Sequence, residues 1–472
     1  MKLFEDEPGD EGLAGGKRAA AMAALMMTTA MVVFDGSVIN IALPQMGTSL
    51  QAVPAVAVWF ANGYLLSVAM TLAVFASLAR HVGFRPLFLS GLALFTSASL
   101  ACSLAPNAPA LIVARILQGL GGAAVVSIGP ALLRSIFPSR LLGSVLGLNA
   151  LLIAASMAIA PIVGGVLLDT LSWRWVFILN IVPGLGALVL AARFVHDLQP
   201  PLRGSFDVPG GVLSAVMVGA LVMALDRAGS AGDDWYGLVA VVTGAAFLGR
   251  LHTASRPLLP LDMFGSLRFS MAALSSLAAF VGQGIAFVAL PYLFQGVYGY
   301  SAFETALLFA PWSIGIVLVA PHAGRYSDRY SPVAISTLGL LVLTGALVSI
   351  AALPPSPSVW DLALRCFFCG AGFGCFQSPN NREMLSNVSR ENSSYASGIL
   401  AIMRTLGQCL GVAVVGVLMA HVGQGGASAI LQQAVRWSLW IATGVTGMAI
   451  AFSLVRLRGA SGRATLDQQP GG

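Results

Sequence analysis

The chain has 472 residues, of which 57% are hydrophobic and 9% charged, against about 25% charged in a soluble globular domain. That balance excludes a soluble protein and leaves a membrane protein. The formal net charge of +6 follows from where the cations sit relative to the membrane and implies no nucleic-acid partner.

The chain opens on a polar tail, 1–18, with acids at Glu5, Asp6, Glu7, Asp10 and Glu11. Fourteen apolar runs follow, at 19–44, 56–79, 86–105, 109–133, 142–168, 173–194, 208–225, 235–251, 269–297, 303–322, 332–353, 359–379, 395–420 and 435–455. Each approaches the roughly 20 residues that an α-helix needs to cross hydrocarbon. None alternates apolar with polar residues as the strands of a membrane barrel do. The fold class is therefore an all-α membrane protein with 14 transmembrane helices, of which the eighth, from Trp235, is the shortest.

The first run is too long for the apolar segment of a signal peptide and follows acids, so the chain is expected to retain it. It holds Asp35, the only one of 19 acids that cannot be placed at or beyond the end of a run. A carboxylate near a helix centre costs about 2.5–3.5 kcal/mol on insertion scales, so it marks a functional site by default. The competing reading is a structural pair with a basic residue on a neighbouring helix. Arg115 in the fourth run is the one basic residue buried in the same half, and it can equally be a fixed counter-ion. Asp207 reads as an N-cap for the seventh run, Asp233-Asp234 as acids at the start of the eighth, and Ser301-Ala-Phe-Glu304 as a capping box for the tenth.

Orientation follows from the 25 basic residues. With the N-terminus inside, nineteen fall on the inner side and three (Arg174, Arg227, Arg436) on the outer side, a strong positive-inside bias. Arg115, Arg365 and Arg404 lie within runs. Five cysteines sit in apolar runs as small buried thiols, and Cys366-x2-Cys369 lacks histidine partners for zinc. Neither lysine belongs to a P-loop. Uphill transport would therefore draw on an ion gradient, with no cofactor.

Several segments resemble a known family. Phe34-Asp35-x-x-Val38-x-Asn40-x-Ala42-Leu-Pro44 is similar to the first-helix signature of the fourteen-helix drug–proton antiporter branch of the major facilitator superfamily. Trp59-Phe-Ala-Asn-Gly-Tyr64-Leu-Leu66 resembles that branch's second helix. Leu111-x3-Arg115-x2-Gln118-Gly119-x-Gly121-Gly122-Ala123 resembles the superfamily's fourth-helix motif. Gly147-x8-Ser156-x3-Ala160-Pro161-x2-Gly164-Gly165 resembles the antiporter motif of the fifth, with Ser156 and Ala160 where glycine is usual. Ser172-Trp-Arg-Trp175-x-Phe177-x-x-Asn180-x-x-Pro183, Leu290-Pro-Tyr-Leu-Phe-Gln295 and Phe376-Gln-Ser-Pro379-Asn-Asn381 also fit the branch, so the resemblance runs from Asp35 to about Gly411.

The resemblance implies two six-helix bundles, 19–194 and 269–455, rocking about a midplane cavity. Between them lies a linker, 195–268, with two extra helices, and a cytoplasmic tail, 456–472, follows. It implies no enzyme but a proton-coupled efflux antiporter of an inner (plasma) membrane, monomeric, with both termini cytoplasmic. Its partners would be protons, the lipid bilayer and a small amphipathic or cationic compound such as a drug or antibiotic. Asp35 and Arg115 would couple to protons or cations, and Arg404 would be a structural or coupling arginine. The cavity would be lined by Asn40, Asn62, Tyr64, Gln118, Tyr292, Gln295, Gln377 and Asn380. Gating would involve Arg80, Gly83, Arg85, Pro161, Gly164, Gly165, Gly324, Asp328 and Arg329. Arg80 stands where the family's loop between helices two and three carries an acid that latches the cytoplasmic gate. That departure keeps open a non-transporting sensor or scaffold, and the fold alone keeps open proton-coupled uptake.

Overall fold

A chain crossing hydrocarbon must satisfy its backbone polar groups internally, and helices do so one segment at a time. The computed structural model describes every residue except 1, 2, 6, 8, 9, 197–205, 229–234, 255–257, 355, 389–392, 423–427 and 465–472. Among the described residues there is no strand, and every apolar run forms a helix. The helices are α1 (Gly15–Ser49), α2 (Pro54–Val82), α3 (Phe84–Ser103), α4 (Ala108–Ile136), α5 (Leu142–Thr170), α6 (Arg174–Phe194) and α7 (Val208–Asp226). They continue as α8 (Trp235–Thr253), α9 (Leu267–Val297), α10 (Ala302–Tyr326), α11 (Pro332–Ala351), α12 (Val359–Ser386), α13 (Ser393–Val422) and α14 (Ser428–Ala464). Thirteen are long and apolar enough to cross a membrane. The fourteenth, α8, carries Arg250 and His252 in its last turn and packs along α7.

Helix ends are punctuated as the side chains dictate. The Asp207 carboxylate accepts from Gly210 N–H at 3.2 Å and from Arg250 Nε at 2.9 Å, which caps α7 and ties α8 to it. Ser301 and Glu304 exchange bonds with each other's backbone N–H at 2.8 and 3.1 Å, the capping box of α10. The expected acid pair Asp233-Asp234 lies outside the described residues. Two helices break. Pro183 has no N–H to offer the Leu179 carbonyl, and α6 divides into Arg174–Ile178 and Ile181–Phe194 with Asn180 between. Pro291 likewise hands α9 into a π-turn, Tyr292–Val297.

The chain forms two compact units, Met1–Leu258 with Ser301–Ala306, and Leu259–Tyr300 with Leu307–Gly472. In the first, α4 packs between α2 and α3, and its glycines make that possible. A Cβ on Gly119 would meet Tyr64 O at 2.5 Å, and one on Gly121 would meet Phe95 N at 2.5 Å. Small residues thus bring three backbones close enough for short polar side chains to meet between them. Helix α1 packs on α5 and α6, with Gly164 seated on Val38. The carboxylate of Asp169, at the end of α5, accepts from the N–H groups of Ala302 and Phe303, both at 3.1 Å. In the second unit α9 packs on α13 and α14, and α11 on α12 and α14.

The acidic N-terminal arm docks on the link between α4 and α5. Arg140 grips Asp10 with Nε and Nη2 at 2.8 and 2.7 Å and reaches Glu7 Oε1 at 3.0 Å. Arg18 donates to Leu13 O and Leu3 O, and Leu13 N–H donates to Ile136 O. Hydrogen bonds from Arg140 hold the Asp10 carboxyl down at about 2, against its ordinary 3.8. Its charged contact is therefore complete above the ordinary value and is lost only as pH falls through about 2. A cysteine placed at buried Leu3 should stay equally protected, relative to a fully exposed cysteine labelled at the same pH, from pH 8 to pH 5. Arg140→Glu should speed labelling several-fold, and unchanged labelling in that variant would mean that Arg140 does not hold the arm.

Candidate functional site

Asp35 and Arg115 meet in the middle of the first unit. Arg115 Nη1 donates to Asp35 Oδ2 at 2.6 Å, and both side chains are 0% exposed. The other carboxylate oxygen, Oδ1, accepts from Gln118 Nε2 at 2.9 Å and Asn180 Nδ2 at 3.2 Å. Arg115 Nε donates to the Phe60 carbonyl at 2.7 Å, and Nη1 also reaches Gln118 Oε1 at 2.6 Å. Its guanidinium lies 4.6 Å from the Tyr64 ring centroid and 5.7 Å from that of Phe177, a contact that offsets part of its desolvation. Arg115 Nη2 has no hydrogen-bond partner among the described residues.

Helix geometry explains the assembly. Arg115 and Gln118 are three residues apart on α4 and so share a face. Ser99 and Cys102 have the same spacing on α3, where Ser99 Oγ accepts from Gln118 Nε2 at 2.9 Å and Cys102 Sγ donates to Gln118 Oε1 at 3.7 Å. Gln118 is thus a hub joining α1, α3 and α4. Asp35 is carried by α1, and Asn180 enters from the break in α6. A buried pair of this kind is weak evidence for stability, because desolvation of both ions can exceed their attraction. The reason for its presence lies elsewhere.

Of the other expected cavity residues, Tyr64 packs on Arg115, and the rest lie elsewhere in their own units. Asn62 and Tyr64 are buried on α2, and Asn40 is half-buried and bonded to the Gly36 carbonyl. In the second unit, Tyr292 is buried in the π-turn with a hydroxyl that has no partner among the described residues. Gln295 and Gln377 are half-buried. Asn380 instead anchors a second polar cluster. Its Oδ1 accepts from buried Arg456 at 2.7 Å, and its Nδ2 donates to Ser276 Oγ at 2.8 Å. Arg456 also bonds Ser453, which meets Thr337, and buried Glu383 lies one turn from Asn380 on α12.

Among the gating candidates, Arg80 is exposed at the end of α2, Gly83 adopts φ +102°, and Arg85 donates to the Ala192 carbonyl at 2.7 Å. Pro161 is buried within α5, and a Cβ on Gly165 would meet Phe303 Cα at 2.8 Å. Gly324 lies against Ser378, Asp328 pairs with Arg382, and Arg329 is exposed. Arg404 is exposed on α13. Asn180, Ser99 and Cys102 are the members of the first cluster that sequence reasoning missed. Asn180 stood in a recognised motif, but nothing in the spacing ties it to Asp35.

Thirteen helices among the described residues are long and apolar enough to cross a membrane, and a charge pair is buried inside the first unit, which together outline a polytopic membrane protein. The chain belongs to the Major Facilitator Superfamily, whose sequence profile matches residues 25–412. It is 36% identical to the uncharacterized transporter YebQ of Escherichia coli (strain K12), across 93% of this chain and 97% of that one. It is 32% identical to the tetracenomycin C resistance and export protein of Streptomyces glaucescens, across 86% and 76% of the two chains. The fold matches the crystal structure of a bacterial homolog to the human lysosomal transporter Spinster, in an inward-facing and occupied conformation. There the TM-score is 0.66 at 15% identity, over 94% of this chain and 98% of that one.

The pairing makes each partner's loss costly. Asp35→Asn keeps the shape but leaves Arg115 a buried cation without its anion, so it should lose stability too. Arg115→Ala leaves the Asp35 carboxylate buried and unpaired and should destabilise by about 3–5 kcal/mol. Thermal unfolding in detergent should show the double variant recovering most of that loss. A double variant no more stable than Arg115→Ala would contradict the pairing.

Proposed function

We propose that the protein is a proton-coupled exporter of small amphipathic or cationic compounds. It would lie in the inner (plasma) membrane with both termini cytoplasmic, act as a monomer and use the proton gradient without a cofactor. The observation that carries this reading is the Asp35–Arg115 contact, at 2.6 Å and 0% exposure for both partners. The named export activity of the tetracenomycin C relative supports the direction of transport.

Charge conservation supplies the coupling. With Asp35 ionised, the pair is neutral and the cluster is satisfied. Protonation of Asp35 leaves Arg115 as an uncompensated buried cation, a state that costs several kcal/mol. The conformation that lets Arg115 reach water or a polar group then becomes favoured, and proton loss restores the original one. A cationic compound drawn to the carboxylate competes with both the proton and Arg115, which makes the exchange obligatory.

Ethidium accumulation in everted membrane vesicles tests the reading. An imposed proton gradient should drive uptake by the parent, and Asp35→Asn should abolish it at equal protein level. Arg115→Lys should keep at most part of the rate, because lysine cannot reproduce the planar fork that serves the Phe60 carbonyl from Nε and Asp35 and Gln118 from Nη1. Full gradient-driven accumulation by Asp35→Asn would remove Asp35 from the mechanism. Accumulation in right-side-out vesicles instead would make the protein an importer.

A further inference from the structure

The hydrogen bonds around Asp35 leave a proton on it with nowhere to point. Its oxygens meet three side-chain donors, Arg115 Nη1, Gln118 Nε2 and Asn180 Nδ2. That set suits a carboxylate. A protonated carboxyl carries an O–H, and a buried O–H without an acceptor loses the hydrogen bond that water would give it. Arginine has no acceptor to offer, so one of the two amides must turn over and present its oxygen.

Gln118 is held on every side. Turning it over would set its NH2 against Arg115 Nη1 and Cys102 Sγ, where its Oε1 now accepts at 2.6 and 3.7 Å. It would exchange a charge-assisted bond for two donors facing each other. The Asn180 side chain makes a single hydrogen bond among the described residues, the one to Asp35 Oδ1. Turning it over sacrifices nothing else. We infer that Asn180 is the amide that follows the proton on Asp35, donating Nδ2–H to the carboxylate and accepting the acid's O–H at Oδ1. The inference rests on the proton-coupling reading of Asp35.

Its place in the chain gives this residue a further consequence. Asn180 joins the two pieces of α6, with its N–H donating to Phe177 O and its carbonyl accepting from Gly184 N–H. Gly184 in turn is seated on Thr96 of α3 and Met31 of α1. A change in the side-chain bond at Asn180 therefore bears directly on the joint of a broken helix. The charged and titratable groups facing the cluster are Arg115 from α4, Cys102 from α3 and Tyr64 from α2. Helix α5 carries none between Gly147 and Leu168. Asn180 is accordingly a positioning residue for the proton, not a carrier of it.

Infrared difference spectra during a pH titration in lipid nanodiscs test this without any substrate. The carboxyl band of Asp35 is assigned by its absence in Asp35→Asn. In the parent it should lie where a hydrogen-bonded acid absorbs, and Asn180→Ser, whose hydroxyl can both donate and accept, should leave it there. Asn180→Leu should shift it upward toward an acid with no acceptor, and the smaller Asn180→Val should do the same should the leucine variant fail to fold. A band that titrates but keeps its parent position in the leucine and valine variants overturns the inference and leaves proton coupling standing. A parent that shows no titrating Asp35 band overturns both.

Discussion

Everything distinctive in the first unit depends on one constraint: a carboxylate in an apolar span must find its cation inside the protein. Asp35 finds Arg115 across 80 residues of chain. Neither group is stable there alone, so the helices that carry them cannot vary their spacing independently. Gly119 and Gly121 bring α4 against α2 and α3, and Gly164 brings α5 against Val38 of α1. The small residues of the recognised motifs are, on this view, the means by which a short polar contact is made between rods about 10 Å thick.

The same constraint separates stability from function. A buried ion pair is replaceable by apolar side chains at little or no loss of stability. Here it is built from four helices, with two amides, a hydroxyl and a thiol supporting it. On the proposed reading such a construction answers to one proton, since its donors are satisfied by an ionised Asp35 and not by a neutral one. The second unit shows a different solution. Arg456 is equally buried, but it binds the neutral oxygens of Asn380 and Ser453, with Glu383 nearby and not in contact as an ion pair.

Much of this was legible in the sequence, and for simple reasons. Apolar runs of spanning length leave few alternatives to helices, so each expected span appears as one. Asp35 and Arg115 stood out because a charge in hydrocarbon is rare. Gln118 could be placed beside Arg115 by helical spacing alone. Asn180 could not, since its approach to Asp35 depends on a tertiary packing of α6 on α1 that periodicity does not encode. Asn380 shows the limit from the other side. A polar residue on the inner face of a helix looks the same in sequence whether it lines a cavity or holds a neighbouring arginine. The docking of the N-terminal arm on Arg140 was equally hidden, because five acids in a polar tail read only as a solvated segment.

The central claim is that Asp35 carries the exchanged proton. Counting the protons that purified protein in weakly buffered detergent releases on binding ethidium tests it most directly. The account predicts release of about one proton per chain in the pH range where Asp35 is protonated, the count that one titrating carboxyl gives, and none from Asp35→Asn. Equal release from the parent and from Asp35→Asn would contradict it.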